Sequence, residues 1–308
     1  MSMGTLVHDA LLYRDANEYL AGTVAFVEAG LARDEPVLVA TPPANLSRLR
    51  DALGSAADRV QMLDMCQVGR NPGRILPAVL LAFARAHPGR PVRAIGEPIW
   101  DGRTSVEYPA CVQHEALINA AFAGLSAMIR CPYDVSRLDQ QVIDDAERTH
   151  PLLTGADGDR PSGRYADPVV TAADFNLPLP QPPATAVTIP VGLTGLSGLR
   201  RFISDQARAV GLPPDRVADA TVAVNELVTN TIGHTAGPGT LASWQDNGQL
   251  ACQLTDSGHI ADPLAGRLPP PPDAVTGRGL FVVNHLCDLV RIHTEPGHTT
   301  IRIHVGSQ

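Results

Sequence analysis

Glu226 and Asn230 stand four positions apart in the run Ala223-Val224-Asn225-Glu226-Leu227-Val228-Thr229-Asn230-Thr231-Ile232-Gly233-His234-Thr235. On a helix this spacing sets both side chains on one face, one turn above the other. A carboxylate beside an amide can take the proton of an attacking hydroxyl, and the amide oxygen can ligate a hard cation. The same pair also describes an ordinary solvated helix face, which Glu and Asn commonly form. Three later blocks add polar chemistry in a fixed order: Asp256-Ser257-Gly258, Gly277-Arg278-Gly279-Leu280 and Gly297-His298-Thr299-Thr300-Ile301.

Particular elements have to position these blocks. Val217, Ala220, Val224, Leu227, Val228 and Ile232 recur at helical spacing, which predicts a helix with one buried stripe. Pro213, Pro214 and Asp215 would open it. A strand over 186–191 and an amphipathic helix over 196–210, closed by Gly211, precede it. Two strands then flank Asp246-Asn247-Gly248, a hairpin signal. The stretch from His259 to Thr276 is rich in Pro and Gly. Its segment 263–272 cannot pair in a sheet and reads as a mobile loop. A helix over 277–286 and alternating strands over 289–294 and 299–305 complete the half, an α/β sandwich with helices on one face of a mixed sheet.

What is missing narrows the chemistry. The sequence contains no lysine, so a P-loop and a lysine Schiff base are both excluded. Any phosphate must meet backbone amides, a metal ion or arginine. A length of 308 residues suits two domains, and 44% hydrophobic with 18% charged residues indicates folded rather than disordered chain. The net charge of −8 argues against a general nucleic-acid binder. No apolar run reaches the ~18 residues of a membrane span, and Met1-Ser2-Met3-Gly4 does not read as a signal peptide, so a cytoplasmic protein is expected. Cys66, Cys111, Cys131, Cys252 and Cys287 are scattered without a CxxC pair and read as buried or free thiols.

In their order and spacing, the four blocks of the second half resemble the GHKL (Bergerat-fold) ATP-binding domain over about residues 187–308, and most closely its RsbW-like branch of anti-sigma-factor serine kinases. The resemblance implies roles for each residue. Asn230 would ligate Mg²⁺ and Glu226 would be the general base. Asp256 would accept from the adenine amino group, Gly258 would leave room for the ring, and Thr299 would support that contact. Gly277, Arg278, Gly279 and Leu280 would form the phosphate-binding helix start. Read without the resemblance, Gly277-Arg278-Gly279 is an ordinary loop turn, Arg267 and Arg278 are solvated, and His234 is structural. His259 and Ile260 depart from the family, which commonly has a second glycine there, and a stiffer loop hinge follows.

The first half alternates strand candidates (7–13, 36–41, 60–65, 92–96, 127–131) with helix candidates (16–33, 44–53, 73–86, 106–123). This alternation predicts an α/β layer on a largely parallel sheet, with ligands beyond the carboxyl ends of its strands. His8 with Leu11-Leu12-Tyr13, Phe26-Val27-Glu28-Ala29-Gly30-Leu31, Arg93-Ala94-Ile95-Gly96-Glu97, Trp100, Glu107, His114-Glu115, Leu117, Asn119 and Cys131-Pro132-Tyr133-Asp134 resemble the MEDS sensory domain over about residues 5–150. That family implies a RecA/KaiC-like core without its phosphate loop and a sensory role with an unknown ligand. His8 reads as a satisfied or edge histidine, and Glu97 and Trp100 flank a strand end where a pocket could form. His114-Glu115 superficially resembles a histidine-kinase phosphoacceptor box, but it sits inside an α/β pattern, which favours a structural role.

Residues 151–186 are turn-rich, then Pro-rich at Leu177-Pro178-Leu179-Pro180-Gln181-Pro182-Pro183, and read as a linker between domains at 1–150 and 187–308. The resemblances together imply a Mg-ATP-dependent protein serine/threonine kinase under sensory control. Its partners would be a STAS-type anti-sigma-factor antagonist or a sigma factor, and it would form a homodimer. The alternatives are a non-catalytic ATP-binding protein that sequesters a sigma factor, and an atypical sensor histidine kinase.

Overall fold

The computed structural model describes residues 4–191, 196–235, 237–271 and 277–307. The chain divides into two compact units, Met1–Phe175 and Asn176–Gln308. Among the described residues, no helix is long and apolar enough to cross a membrane.

The first unit is built on strands β1 (Leu6–Tyr13), β2 (Val37–Thr41), β3 (Val60–Asp64), β4 (Val92–Gly96), β5 (Ala127–Asp134), β6 (Leu152–Thr154) and β7 (Arg160–Pro161). They lie in the order β3-β2-β4-β5-β1-β6-β7. Every neighbouring pair is parallel except β6 with β7, in agreement with the expected largely parallel sheet. β2 and β4 are buried along their whole length, the pattern of strands covered on both faces. The covering helices start where the sequence signals them. Asp15 accepts from the amides of Asn17 and Glu18 at the head of Ala16–Ala32, and Pro43 begins Pro43–Leu53. The helix expected over 73–86 is present as the contiguous segments Pro72–Ile75, Leu76–Leu80 and Leu81–Ala86, the middle one a wider, π-type turn. Pro77, which has no amide hydrogen to donate, lies inside that wide turn.

The stretch 151–186, expected as a linker, is divided between the units. Leu152–Thr154 pairs with β1, Arg160–Pro161 pairs with β6, and Pro168–Asp174 is a helix capped by Asp167. Asn176 then joins the second unit: its Nδ2 donates to Thr294 O at 2.7 Å and its Oδ1 accepts from Thr294 N at 3.0 Å. Pro180 O accepts from the Arg302 guanidinium, and Ala186 packs against Ala242, Trp244 and Ala251. These elements are single residues, strands of two or three and one helix of seven residues, too short to leave a clear periodic trace.

The second unit carries β8 (Val187–Val191), β9 (Gly239–Asp246), β10 (Gln249–Asp256), β11 (Leu289–Glu295) and β12 (His298–Val305), ordered β11-β12-β10-β9-β8. All neighbouring pairs are antiparallel, so the expected mixed sheet is corrected to an antiparallel one. Tight turns dictate the direction of two of these pairs. Asn247 and Gly248 join β9 to β10 with φ of 48° and 80°, and Gly297 turns β11 into β12 at φ 83°. Leu250, Cys252 and Leu254 alternate inward and meet Ile203 and Ala207 of the Leu196–Val210 helix. Val217, Ala220, Val224, Leu227 and Val228 of the Pro214–His234 helix complete that core, as their spacing requires, with Ile232 partly buried beside them. The α/β sandwich of the second unit is therefore as expected apart from strand direction.

Candidate functional site

Glu226 and Asn230 project from the Pro214–His234 helix, each half-buried, on the side away from its apolar stripe. Asn230 faces the start of the Gly279–Leu286 helix: a Cβ built on Gly279 would lie 2.8 Å from Asn230 Nδ2 and 3.0 Å from Oδ1. Only glycine lets the helix start come this close to the amide. Gly277, two residues earlier, takes φ 82°, a left-handed conformation that favours glycine. The helix start and the Asn230 amide thus share one spot, where free backbone amides and the positive end of the helix dipole favour an anion. Among the described residues, Glu226 makes no hydrogen bond or ion pair.

The next residue on the helix, Thr231, turns about 100° away and reaches a different block. Its hydroxyl donates to Asp256 Oδ2 at 2.6 Å, and the amide of Gly258 donates to Asp256 Oδ1 at 2.8 Å. Gly258 was expected to clear space for a ring. In the structure a Cβ there would fall 2.9 Å from Asp256 Oδ1 and 3.2 Å from Thr235 Cγ2, so the glycine also gives the aspartate room. Thr299, paired with Asp256 across β10 and β12, donates to Gly258 O at 3.1 Å and lies 2.7 Å from Thr294 Oγ1. Thr231 and Thr294 are structural members of this network that the sequence reading missed. A threonine hydroxyl in the otherwise apolar stripe, directly after Asn230, is the signal that could have found the first.

The remaining candidates separate. Arg278 is exposed at the helix start, whereas Arg267 is buried rather than solvated. Leu280 is half-buried, packed on the core, and would meet a Cβ on Gly266 at 2.6 Å. The expected mobile loop is partly tied down. Gly266 O accepts from the Asn284 amide at 3.1 Å, and Leu264 N donates to Asp262 Oδ1 at 2.9 Å. Residues 272–276 of that loop lie outside the described residues. At the departure from the family pattern, Ile260 packs on the core and its amide donates to Thr294 Oγ1 at 2.9 Å; His259 and His234 are exposed.

In the first unit, Glu97 follows β4 at the carboxyl end of the sheet. It is 3% exposed, accepts from Asn45 Nδ2 at 3.0 Å on each oxygen, and lies 3.5 Å from Tyr13 OH. Burial pushes its carboxyl up to about 8. Trp100 is half-buried with the Arg103 guanidinium 4.0 Å over its ring. His8 is no edge histidine: it is fully buried within β1 and meets Glu115, Cys131 and His150 in one interior cluster. Burial pushes the His8 imidazole down, as does the charge of His150, against the attraction of the Glu115 carboxylate. His114 is buried on the Tyr108–Ala121 helix, which suits the structural reading of His114-Glu115.

Two family models match the chain. The MEDS model (methanogen/methylotroph, DcmR sensory domain) matches residues 7–151, and the histidine kinase-like ATPase domain matches residues 189–305. No curated protein matches.

Proposed function

We propose that this chain, a MEDS sensory domain followed by a histidine kinase-like ATPase domain of the GHKL type, is a cytoplasmic anti-sigma regulatory factor. In this reading its second domain transfers phosphate from Mg-ATP to a Ser or Thr hydroxyl of a STAS-type anti-sigma-factor antagonist, under control of the first domain. The observation that carries it is the meeting of the Asn230 amide with the glycine that opens the Gly279–Leu286 helix, one turn from an uncommitted Glu226.

The donor set fits a magnesium nucleotide. A Cβ at residue 279 would fill the space beside the Asn230 amide, and a chain without lysine has amides, an amide oxygen and arginine to offer phosphate. When bound, Mg-ATP supplies the phosphoryl group and the charge neutralisation on which transfer depends. Asn230 Oδ1 offers the hard oxygen ligand, and the amides at Gly279 and beyond orient the phosphates. Glu226 is free to hold the proton of the incoming hydroxyl. Asp256, fixed by Thr231 and Gly258, keeps lone pairs on both oxygens with which to accept from an exocyclic amino group, which favours adenine.

Incubating the full chain with Mg-ATP and candidate antagonist proteins, followed by mass spectrometry for phosphoserine and phosphothreonine, tests this. Glu226→Ala is expected to keep nucleotide affinity and lose on the order of 100-fold in transfer. Unchanged transfer removes Glu226 as the base. The second reading, an ATP-dependent partner switch that sequesters a sigma factor without phosphorylation, draws support from Ile260, which is pinned where the family commonly has a glycine. It predicts nucleotide-dependent sigma-factor capture and no phosphorylated product from the wild type. In both readings the working form is a homodimer.

A further inference from the structure

Four potential ligand atoms converge in the interior of the first unit. His8 Nε2 and His150 Nε2 each lie 3.4 Å from Glu115 Oε2, Cys131 Sγ lies 3.2 Å from that oxygen, and Cys131 Sγ is 3.5 Å from His8 Nε2. All four atoms fall within 4.8 Å of one another, and all four residues are buried. The topology brings them together. His8 and Cys131 come from the adjacent strands β1 and β5, two register positions apart and on the same face. Glu115 descends from the Tyr108–Ala121 helix, and His150 ends the Gln140–Thr149 helix.

The surrounding hydrogen bonds fix which nitrogen of each imidazole faces the centre. Asn119 Nδ2 donates to the carbonyls of Thr149 at 2.8 Å and Ala116 at 3.2 Å, so its Oδ1 must be the atom 3.1 Å from His8 Nδ1. An amide oxygen only accepts; His8 therefore carries a proton on Nδ1, and in its neutral form turns a bare Nε2 inward. His150 Nδ1 lies 2.8 Å from Ala146 O, which again only accepts, so the neutral ring turns its bare Nε2 the same way. Two imidazole lone pairs thus aim at one carboxylate oxygen at 3.4 Å, an arrangement that a cation, or a proton, among them relieves. Glu115 Oε1 and His150 Nε2 find no hydrogen-bond partner although both are buried. Histidines held through Nδ1 by carbonyl-type oxygens, with Nε2 directed at a common point, are the orientation that second-shell partners impose on metal ligands.

We propose that His8, Glu115, Cys131 and His150 form a closed, four-coordinate site for a divalent transition metal of the zinc class within the sensory unit. The spacing fits: ligands about 2.0–2.3 Å from a tetrahedral centre stand roughly 3.3–3.7 Å apart, and the short contacts here are 3.2–3.5 Å. The charge fits too. One thiolate and one carboxylate neutralise a divalent ion, so the loaded cluster is neutral, whereas the carboxylate alone would be a buried charge facing lone pairs. The mixed donor set of two imidazoles, a thiolate and a carboxylate suits zinc or cobalt rather than magnesium or calcium. With four protein ligands and no exposure, the site is of the structural kind, and its loading couples the sheet to the two helices that cover it.

The test uses the full chain, freed of any affinity tag and stripped with a chelator, titrated with Co²⁺ and then Zn²⁺. One equivalent of Co²⁺ is expected to give the intense visible bands of a tetrahedral centre and a near-ultraviolet thiolate charge-transfer band, both displaced by Zn²⁺. Cys131→Ser is expected to lose the charge-transfer band, and His150→Gln to weaken Co²⁺ binding by at least tenfold. Cys252→Ser, in the other unit, should leave the spectrum unchanged. Circular dichroism establishes that each variant is folded. A folded wild-type chain that binds no equivalent of metal overturns the proposal. So does a charge-transfer band that persists in folded Cys131→Ser.

Discussion

The two units place their chemistry in opposite ways. In the second, polar groups sit at the ends of elements: Asn230 in the last turns of a helix, Asp256 closing a strand, Gly279 opening a helix, Thr299 beginning a strand. Each is a short local motif, and Asn230 and Asp256 are left half-buried. In the first unit, residues 8, 115, 131 and 150 meet in the interior, on a strand pairing and two helix packings that no local motif encodes. Element ends expose backbone amides and suit a ligand that comes and goes. An interior cluster suits a group that stays.

The sharpest way to break this contrast is at the helix start of the second unit. Gly279→Val puts a branched side chain where even a Cβ lies 2.8 Å from the Asn230 amide, so either the amide or the helix must move. Mg-ATP affinity is expected to fall at least 100-fold, about 2.7 kcal/mol, with helix content unchanged by circular dichroism. Gly279→Ala should fall between the two. If calorimetry finds the same affinity in Gly279→Val as in the wild type, the nucleotide does not use this helix start.

Glu97 tests the first unit, where a buried acid outside the four-residue cluster should register in stability rather than in activity. Its folded carboxyl titrates at about 8 against an ordinary 4.5, because burial disfavours the charge. Between those values the native chain holds a proton that the unfolded chain has lost. The stability tied to Glu97 is therefore complete below pH 4.5 and is lost as pH rises through 8. From pH 5 to 7 this amounts to about 2 kcal/mol, which Glu97→Gln should abolish while keeping an oxygen for Asn45. All five tyrosines lie in the first unit, so urea unfolding followed by their near-ultraviolet circular dichroism reports on it directly. Parallel pH slopes in the two proteins would mean that Glu97 is ionised in the native state.

The same division explains what could be read without coordinates. Strands such as 92–96 and helices such as 16–33 were legible because burial on one or two faces writes a period into the sequence, and the structure has them at Val92–Gly96 and Ala16–Ala32. The ATPase blocks were legible because glycines and acids at element ends keep fixed local spacings. β6 was not: three residues, Leu152–Thr154, bounded by Pro151 and Gly155, carry no period and look like linker. Nor was the buried cluster, since neither His8 nor Cys131 has a partner within reach along the chain and only the β1–β5 register unites them. The antiparallel direction of the second sheet was half legible, in the Asn247-Gly248 turn but not in the two-helix return from β8 to β9.

Thr231 gives the finest probe of how the second site is held. It is 2% exposed, and its hydroxyl is the short partner of Asp256 Oδ2 at 2.6 Å. Thr231→Val keeps the shape and the β-branching but leaves that oxygen without its donor, while Gly258 N still holds Oδ1 at 2.8 Å. A single hydrogen bond to a charged acceptor is worth about 1.5–3 kcal/mol when intact. Part of that loss is recovered if the bound base donates to the freed oxygen, so nucleotide affinity should drop only about fivefold, or ~1 kcal/mol. The change should fall on selectivity: an aspartate tethered at one oxygen can swing, and the preference for ATP over GTP should narrow in competition titrations. An unchanged preference would mean that Gly258 alone positions the carboxylate. The helix would then contribute to the phosphate end of the site through Asn230 and nothing to the base end.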